Sequence, residues 1–73
     1  MEIHIEYCEK WNYYPDFVRV TNLIEKYSAN INIKSNINPP RSGAFEVTIN
    51  NKIVFSKLKT KEFPTASDIQ KWF

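Results

Sequence analysis

Apolar and polar side chains alternate along short stretches of this chain, and a period of two residues is typical of half-buried β-strands. In the first stretch, Ile3 and Ile5 fall on one side while His4 and Glu6 fall on the other. The same pattern predicts strands over residues 2–7, 31–34, 44–50 and 53–58. Only in the fourth stretch, residues 53–58, do apolar and polar side chains fail to separate clearly onto two faces.

A helical period replaces the alternation over residues 15–27. Proline is tolerated only in the first turn of a helix, so Pro15 places the start of this helix between Trp11 and Pro15. Asp16 lies near that start and suits the positive end of the helix dipole. The apolar stripe of the helix consists of Phe17, Val20, Ile24 and Tyr27.

The remaining segments carry turn and capping signals. Thr65 followed by Asp68 is a capping-box pattern and predicts a closing helix. Asn50 and Asn51 form a candidate two-residue hairpin turn, because asparagine tolerates a positive φ. Residues 36–43 are predicted to be a loop, in which Gly43 lets the chain enter the next strand with a positive φ.

The order of elements is therefore β-α-β-β-β-α in a single domain over residues 1–73. The first β-α-β is long enough for a right-handed crossover, which predicts that its two strands are parallel. The last two strands form an antiparallel hairpin. Because most strands have one apolar face, we predict a two-layer α/β sandwich of thioredoxin-like type, with a four-stranded mixed sheet and helices on one face.

Composition and charge restrict the function classes. The formal net charge is +2, which is too mild to indicate nucleic acid by itself. A single cysteine excludes a disulfide within the chain and fits a reducing compartment. The start of the chain lacks the pattern of a signal peptide, and no apolar run approaches the roughly 20 residues of a membrane span. We expect a cytoplasmic protein without a membrane partner.

Three stretches resemble one known family: "IEYCEKW" at the end of the first strand, "SGAFEVTINNKIVFSKL" in the hairpin and "FPTASDIQKWF" at the closing helix. The chain is similar over nearly its whole length to the selenoprotein W-like (Rdx) family of small thioredoxin-fold proteins. The resemblance implies a redox role through a Cys-x-x-Cys or Cys-x-x-selenocysteine loop, coupled to glutathione or protein thiols. Only Cys8 carries over, because Trp11 occupies the second redox position.

Cys8 is the candidate catalytic residue. The thiolate is the reactive form of cysteine, and a helix start favours it. Lys10 would help, whereas Glu9 and Asp16 would oppose the negative charge. A lone thiolate can form a mixed disulfide whose release needs an outside thiol such as glutathione, so the candidate enzyme is a monothiol oxidoreductase without a bound cofactor. The alternative is an ordinary buried cysteine, since free cysteine is among the most buried residues.

Aromatic side chains cluster beside the Cys8 loop. Trp11, Tyr13 and Tyr14, with Lys10, are candidate contacts for a protein partner, since aromatic residues are enriched in binding hot spots. In the structural alternative, at least one of the three aromatics covers the end of the helix. The competing function is therefore a redox-inactive interaction module that uses the loop from Cys8 to Trp11.

Other polar residues give weaker signals. His4 has no second ligand at a metal-binding spacing, so we expect a solvated or edge histidine and no metal site. We expect the carboxylates that share the polar sheet face to be solvated: Glu2, Glu6 and Glu46. Three lysines are interpreted as a solvated edge: Lys57, Lys59 and Lys61. Nucleic-acid binding is a third hypothesis that we do not favour, through a basic patch of these lysines and Lys52 with Lys34 and Arg41.

Overall fold

A computed structural model describes residues 1–36 and 39–73 of the chain. In chain order, the elements are β1 (Glu2–Tyr7), α1 (Tyr14–Tyr27), β2 (Asn32–Ser35), β3 (Phe45–Ile49), β4 (Lys52–Ser56), α2 (Lys57–Thr60) and α3 (Ala66–Gln70). Part of the predicted loop over 36–43, at Ile37 and Asn38, lies outside the described residues. The other residues of that segment lie in neither helix nor strand.

The strands form one sheet in the order β2-β1-β3-β4. β1 pairs in parallel with β2, as the β-α-β pattern predicts, and Ile3 lies opposite Ile33. β3 runs antiparallel to both β1 and β4. The predicted four-stranded mixed sheet is therefore confirmed, with β1 and β3 at its centre and β2 and β4 at its edges.

Helices α1 and α3 pack on one face of the sheet and form the core with it. The fully buried side chains of this core come from β1, β3 and both helices: Ile3, Ile5, Val20, Ile24, Phe45, Val47 and Ile69. Each such side chain stabilises the fold by about 1.5–3 kcal/mol relative to an exposed position. The predicted α/β class, with helices packed on the apolar face, is confirmed.

The helix ends follow their sequence signals. α1 begins at Tyr14, with Pro15 in its first turn, within the predicted interval. Asp68 N–H donates to the Thr65 hydroxyl at 3.1 Å, and Thr65 N–H donates to the Asp68 carboxylate at 3.0 Å. This is the predicted capping box, and the Thr65 N–H is the main cause of a lowered Asp68 pKa. No helix among the described residues combines the length and the apolarity needed to cross a membrane.

The last strand differs from its prediction. The strand predicted over 53–58 ends at Ser56, and the short helix α2 follows at once. The reason is a cap: the Ser56 hydroxyl accepts the Lys59 N–H at 3.3 Å. An irregularity also shifts the pairing, because Val47 pairs with Phe55 whereas Thr48 pairs with Ile53. Ile53 is thereby placed beside Thr48, away from the helices, and is 67% exposed.

Candidate functional site

Cys8 lies directly after β1 and is held through its main chain from both sides. Its N–H donates to the carbonyl of Ala44 at 2.9 Å, just before β3. Its carbonyl accepts the N–H of Tyr13 at 3.3 Å, just before α1. Cys8 therefore stands at the junction of sheet and helix that the sequence predicts. The N–H of Tyr13, at the start of the helix, is used in this bond to the Cys8 carbonyl and not in a bond to the Cys8 sulfur.

The Cys8 side chain is enclosed. The residue is 2% exposed and is a free cysteine. A reagent or substrate in solution does not reach its sulfur in this conformation. The thiol can react only when the segments around it move. The sequence left open whether Cys8 is accessible, because burial depends on contacts between segments distant in the chain.

The loop after Cys8 is a tight turn that carries exposed side chains. Asn12 has a φ of 58°, and its N–H donates to the carbonyl of Glu9 at 3.0 Å. Lys10 is exposed, and Trp11 is 60% exposed. The indole N–H of Trp11 nevertheless donates to the hydroxyl of Ser42 at 3.1 Å. Trp11 thus links its loop to the turn before β3.

The two tyrosines at the start of α1 have different environments. Tyr13 is half-buried and packs edge-on against Phe63, with ring centroids 4.8 Å apart. Tyr14 is 56% exposed, with its ring 6.3 Å from that of Tyr7. Tyr7 itself is buried, which raises the pKa of its phenol above the ordinary 10.0. Tyr13 belongs to the packed interior, whereas Tyr14 and Trp11 are available for contact.

Asn36 holds the residue before Cys8, a role that its place in the sequence does not reveal. Its carboxamide oxygen accepts the N–H of Tyr7 at 2.9 Å, and its amide group donates to the Tyr7 carbonyl at 3.1 Å. The same amide group donates to the Glu9 carboxylate at 2.9 Å. The only available signal was an asparagine directly after β2, a residue type that tolerates the positive φ of 46° found here.

Arg41 clamps the turn before β3 onto the sheet. Its guanidinium makes two contacts to the Glu6 carboxylate, at 3.1 and 3.0 Å. Its backbone N–H donates to the same carboxylate at 2.7 Å. The side-chain bond from Arg41 is the largest cause of a lowered Glu6 pKa. A basic residue beside the loop prolines was visible in the sequence, but its distance from Glu6 along the chain concealed the pairing.

Glu46 corrects the prediction that the carboxylates of the open sheet face are solvated. It is 6% exposed. It accepts a hydrogen bond from the Ser56 hydroxyl, and another from the Lys57 N–H at 2.8 Å. The guanidinium of Arg41 lies 3.7 Å away and offsets the repulsion from Glu6 directly opposite. Among the three carboxylates, Glu2 does remain exposed.

Two other residues differ from their predictions. Lys57 is not part of a solvated edge, because it begins α2 and its ammonium lies 5.3 Å from the ring centre of Tyr13 and 5.2 Å from that of Phe63. His4 is on the central strand β1 and is half-buried, so it is neither solvated nor at an edge. Within residues 1–36 and 39–73, no group of three His, Cys, Asp or Glu side chains is arranged to hold a metal ion.

Comparison with known sequences relates the chain to one family. A sequence model described as the Rdx family matches residues 2–72. The protein named Migration and invasion enhancer 1 of Bos taurus is 32% identical over 69 residues, which are 94% of this chain and 58% of the relative. Selenoprotein W of Danio rerio is 31% identical over 58 residues, 78% of this chain and 67% of the relative. The chain thus spans little more than half the length of the bovine relative.

Comparison with solved structures concerns the fold. The crystal structure of a selenoprotein W-related protein from Vibrio cholerae matches with a TM-score of 0.81 at 20% identity, over 96% of this chain and 88% of that chain. A protein from Bordetella parapertussis matches with a TM-score of 0.76 at 18% identity, over 96% and 89% of the two chains. At this low identity, the likeness shows the fold alone.

Proposed function

Because the chain belongs to the Rdx family, we propose that it is a thioredoxin-like redox-type protein that acts through the single thiol of Cys8. The observation that carries the proposal is the position of this cysteine. It follows the last residue of β1 and is bonded through its carbonyl to Tyr13, at the start of α1. That position matches the first redox residue of the family pattern.

The proposed reaction is monothiol exchange. The Cys8 thiolate attacks the glutathione sulfur of a glutathionylated protein thiol, and the protein sulfur leaves as a thiolate that takes up a proton. A glutathione thiolate then attacks the mixed disulfide. This second step regenerates Cys8 and releases a disulfide that contains the attacking glutathione. Trp11 contributes no sulfur to either step, so the outside thiol is the required co-substrate.

Burial makes local opening part of the proposed reaction. A 2% exposed Cys8 requires the residues bonded to it to separate before a sulfur can approach. Local openings of this kind occur at free energies well below that of global unfolding. The rate of the Cys8 reaction would then be set by the fraction of molecules in which the segments around Cys8 have separated, while the rest of the fold stays intact.

Glutathionylation measured under native conditions tests the proposal. We expect incubation with glutathione disulfide to add one glutathione to the wild-type chain and none to a Cys8→Ser variant, detected by intact mass. The adduct should form faster than global unfolding allows, which is checked by repeating the reaction across a urea series. An adduct that forms only in step with unfolding would show an inert buried cysteine.

A redox-inactive interaction module is the second candidate. The burial of Cys8 beside the exposed rings of Trp11 and Tyr14 favours it. In this function, the loop binds a protein partner without using the sulfur. Proteins that co-purify with the wild-type chain should also bind a Cys8→Ser variant and should be lost from a Trp11→Ala variant. If the co-purifying proteins were lost from the Cys8→Ser variant, binding would require the sulfur, and this candidate would be excluded.

A further inference from the structure

The segment around Cys8 is attached to the turn at residues 41–44 by a main-chain and a side-chain hydrogen bond. The main-chain bond joins the Cys8 N–H to the carbonyl of Ala44 at 2.9 Å. The side-chain bond joins the indole N–H of Trp11 to the hydroxyl of Ser42 at 3.1 Å. Together they fasten both the cysteine and the loop that follows it to one short stretch of chain.

That stretch is itself fixed to the sheet. Arg41 bonds to the Glu6 carboxylate through its guanidinium and through its backbone N–H. Its carbonyl accepts the N–H of Ala44 at 3.1 Å, which closes the turn, and Gly43 provides the φ of 74° that the turn needs. A bidentate pair between a guanidinium and a carboxylate is rigid in geometry, so it holds the turn in one place.

We propose that Ser42 and Arg41 are positioning residues for the reaction of Cys8, because they hold the Trp11 loop closed and set how often the thiol becomes reachable. The inference rests on the proposed monothiol function. In the family pattern, a second redox residue at this position can tie the loop to the cysteine covalently. In this chain, Trp11 ties the loop to Ser42 with a reversible hydrogen bond instead.

The Trp11–Ser42 bond is tested by a double-mutant cycle with the rate of Cys8 alkylation as the measurement. Trp11→Phe removes the indole N–H and keeps an aromatic ring, and Ser42→Ala removes the hydroxyl. A hydrogen bond of ordinary strength predicts that each change raises the native-state alkylation rate about twofold to tenfold. The double variant should react no faster than the faster single variant, since both changes break the same bond.

Matched variants separate positioning from general destabilisation. Ser42→Thr keeps a hydroxyl and should restore a rate close to that of wild type. Ser67→Ala removes an exposed serine hydroxyl on α3 and should leave the rate unchanged. Arg41→Gln should accelerate alkylation more than Ser42→Ala, because it removes both guanidinium contacts that hold the turn to Glu6. In Trp11→Phe, Ser42→Ala and Arg41→Gln, alkylation should stay faster than the unfolding equilibrium measured in urea allows, because the reaction passes through local opening.

Independent effects of Trp11→Phe and Ser42→Ala, or no effect of either, would overturn the inference. Failure of the underlying function has a different signature. If the variants accelerate alkylation as expected but wild type forms no glutathione adduct, the positioning holds and the monothiol function is wrong. If wild type forms the adduct and no variant changes the rate, the function holds and the positioning is wrong.

Discussion

The carboxylate of Glu46 joins β3 to the end of β4 and the start of α2. It accepts from the hydroxyl of Ser56 and from the backbone N–H of Lys57 in a site shielded from water. Donors in such a place lose their hydration on folding, so removing their acceptor leaves a desolvation cost in the folded state. Glu46 is therefore a structural acceptor that allows the chain to turn from strand into helix at Ser56.

Replacing Glu46 tests this role. We expect Glu46→Ala to lower the free energy of unfolding by about 1–3 kcal/mol, because it leaves the part-buried Ser56 hydroxyl and Lys57 N–H without this acceptor. Glu46→Gln keeps an amide oxygen in place and should cost less. Urea denaturation followed by tryptophan fluorescence measures both changes. Glu25→Gln, at an exposed carboxylate on α1, is the control. Equal effects of Glu46→Ala and Glu25→Gln would contradict the assignment.

Glu6 makes the stability depend on pH in acid solution. Arg41 holds the pKa of the folded Glu6 carboxyl below its ordinary value of 4.5. A lowered folded pKa means that this group stabilises the protein fully above pH 4.5 and loses its contribution as the pH falls through the folded value. The Asp68 pKa is also lowered, from 3.8, so both carboxyls act in this acid range.

We expect Glu6→Gln to weaken the loss of stability on acidification below about pH 4.5, without abolishing it, since Asp68 remains. The measurement is the urea midpoint at several pH values between neutral and strongly acid. Added salt should reduce the difference between wild type and variant, because the Arg41 side chain is 63% exposed. Parallel pH curves for the two proteins would refute the role of Glu6.

At the scale of the elements, the β3–β4 hairpin depends on a two-residue turn in which Asn50 and Asn51 contribute to stability in different ways. Asn50 and Asn51 have φ values of 49° and 68°, as the sequence predicts for a tight hairpin turn. The carboxamide of Asn50 also accepts the N–H of Glu2 at 2.9 Å and so ties the turn to β1. Asn51 is exposed and serves mainly through its tolerance of the left-handed conformation.

The two asparagines should therefore respond differently to the same substitution. We expect Asn51→Gly to preserve stability or raise it slightly, since glycine adopts a positive φ without strain. Asn51→Val should cost about 1–2 kcal/mol, because a β-branched residue is strained in that conformation. Asn50→Gly keeps the backbone unstrained and loses the side-chain bond to the Glu2 N–H, so it should be less stable than Asn51→Gly. Thermal unfolding ranks the variants, and equal midpoints for the two glycine variants would be the contrary result.

The elements that obey a local rule were predictable, and those that depend on distant contacts were not. Alternation located β1 and β3, and the capping box located α3, because each signal lies within a few residues. The end of β4 was missed because a carboxylate on β3 completes the cap of α2. The exposure of Ile53 was missed because it follows from a pairing shift with β3. The same limit applies to Asn36, whose partner Tyr7 belongs to another part of the chain.

At the scale of the whole molecule, the fold could be predicted from the sequence, whereas the accessibility of the candidate site could not. The sheet, the helices and the position of Cys8 follow from the sequence, and they agree with the match to the Rdx family over residues 2–72. The enclosure of the sulfur did not follow, because it arises where the end of β1, the start of α1 and the turn before β3 meet. The proposed monothiol function thus depends on how this junction opens and on the residue at position 11.

Restoring the missing sulfur tests what Trp11 has changed. We expect Trp11→Cys to form a disulfide with Cys8 when treated with glutathione disulfide, because the chain turns tightly between these positions and an attacking thiol would lie beside any adduct on Cys8. The variant should then resolve that adduct without an outside thiol, whereas wild type should retain it. Intact mass under non-reducing conditions and counting of free thiols by alkylation distinguish the two products.

Trp11→Ser, which also removes the indole but adds no sulfur, should behave like wild type in retaining its adduct. A persistent glutathione adduct on Trp11→Cys would mean that the loop holds its two positions too far apart for exchange.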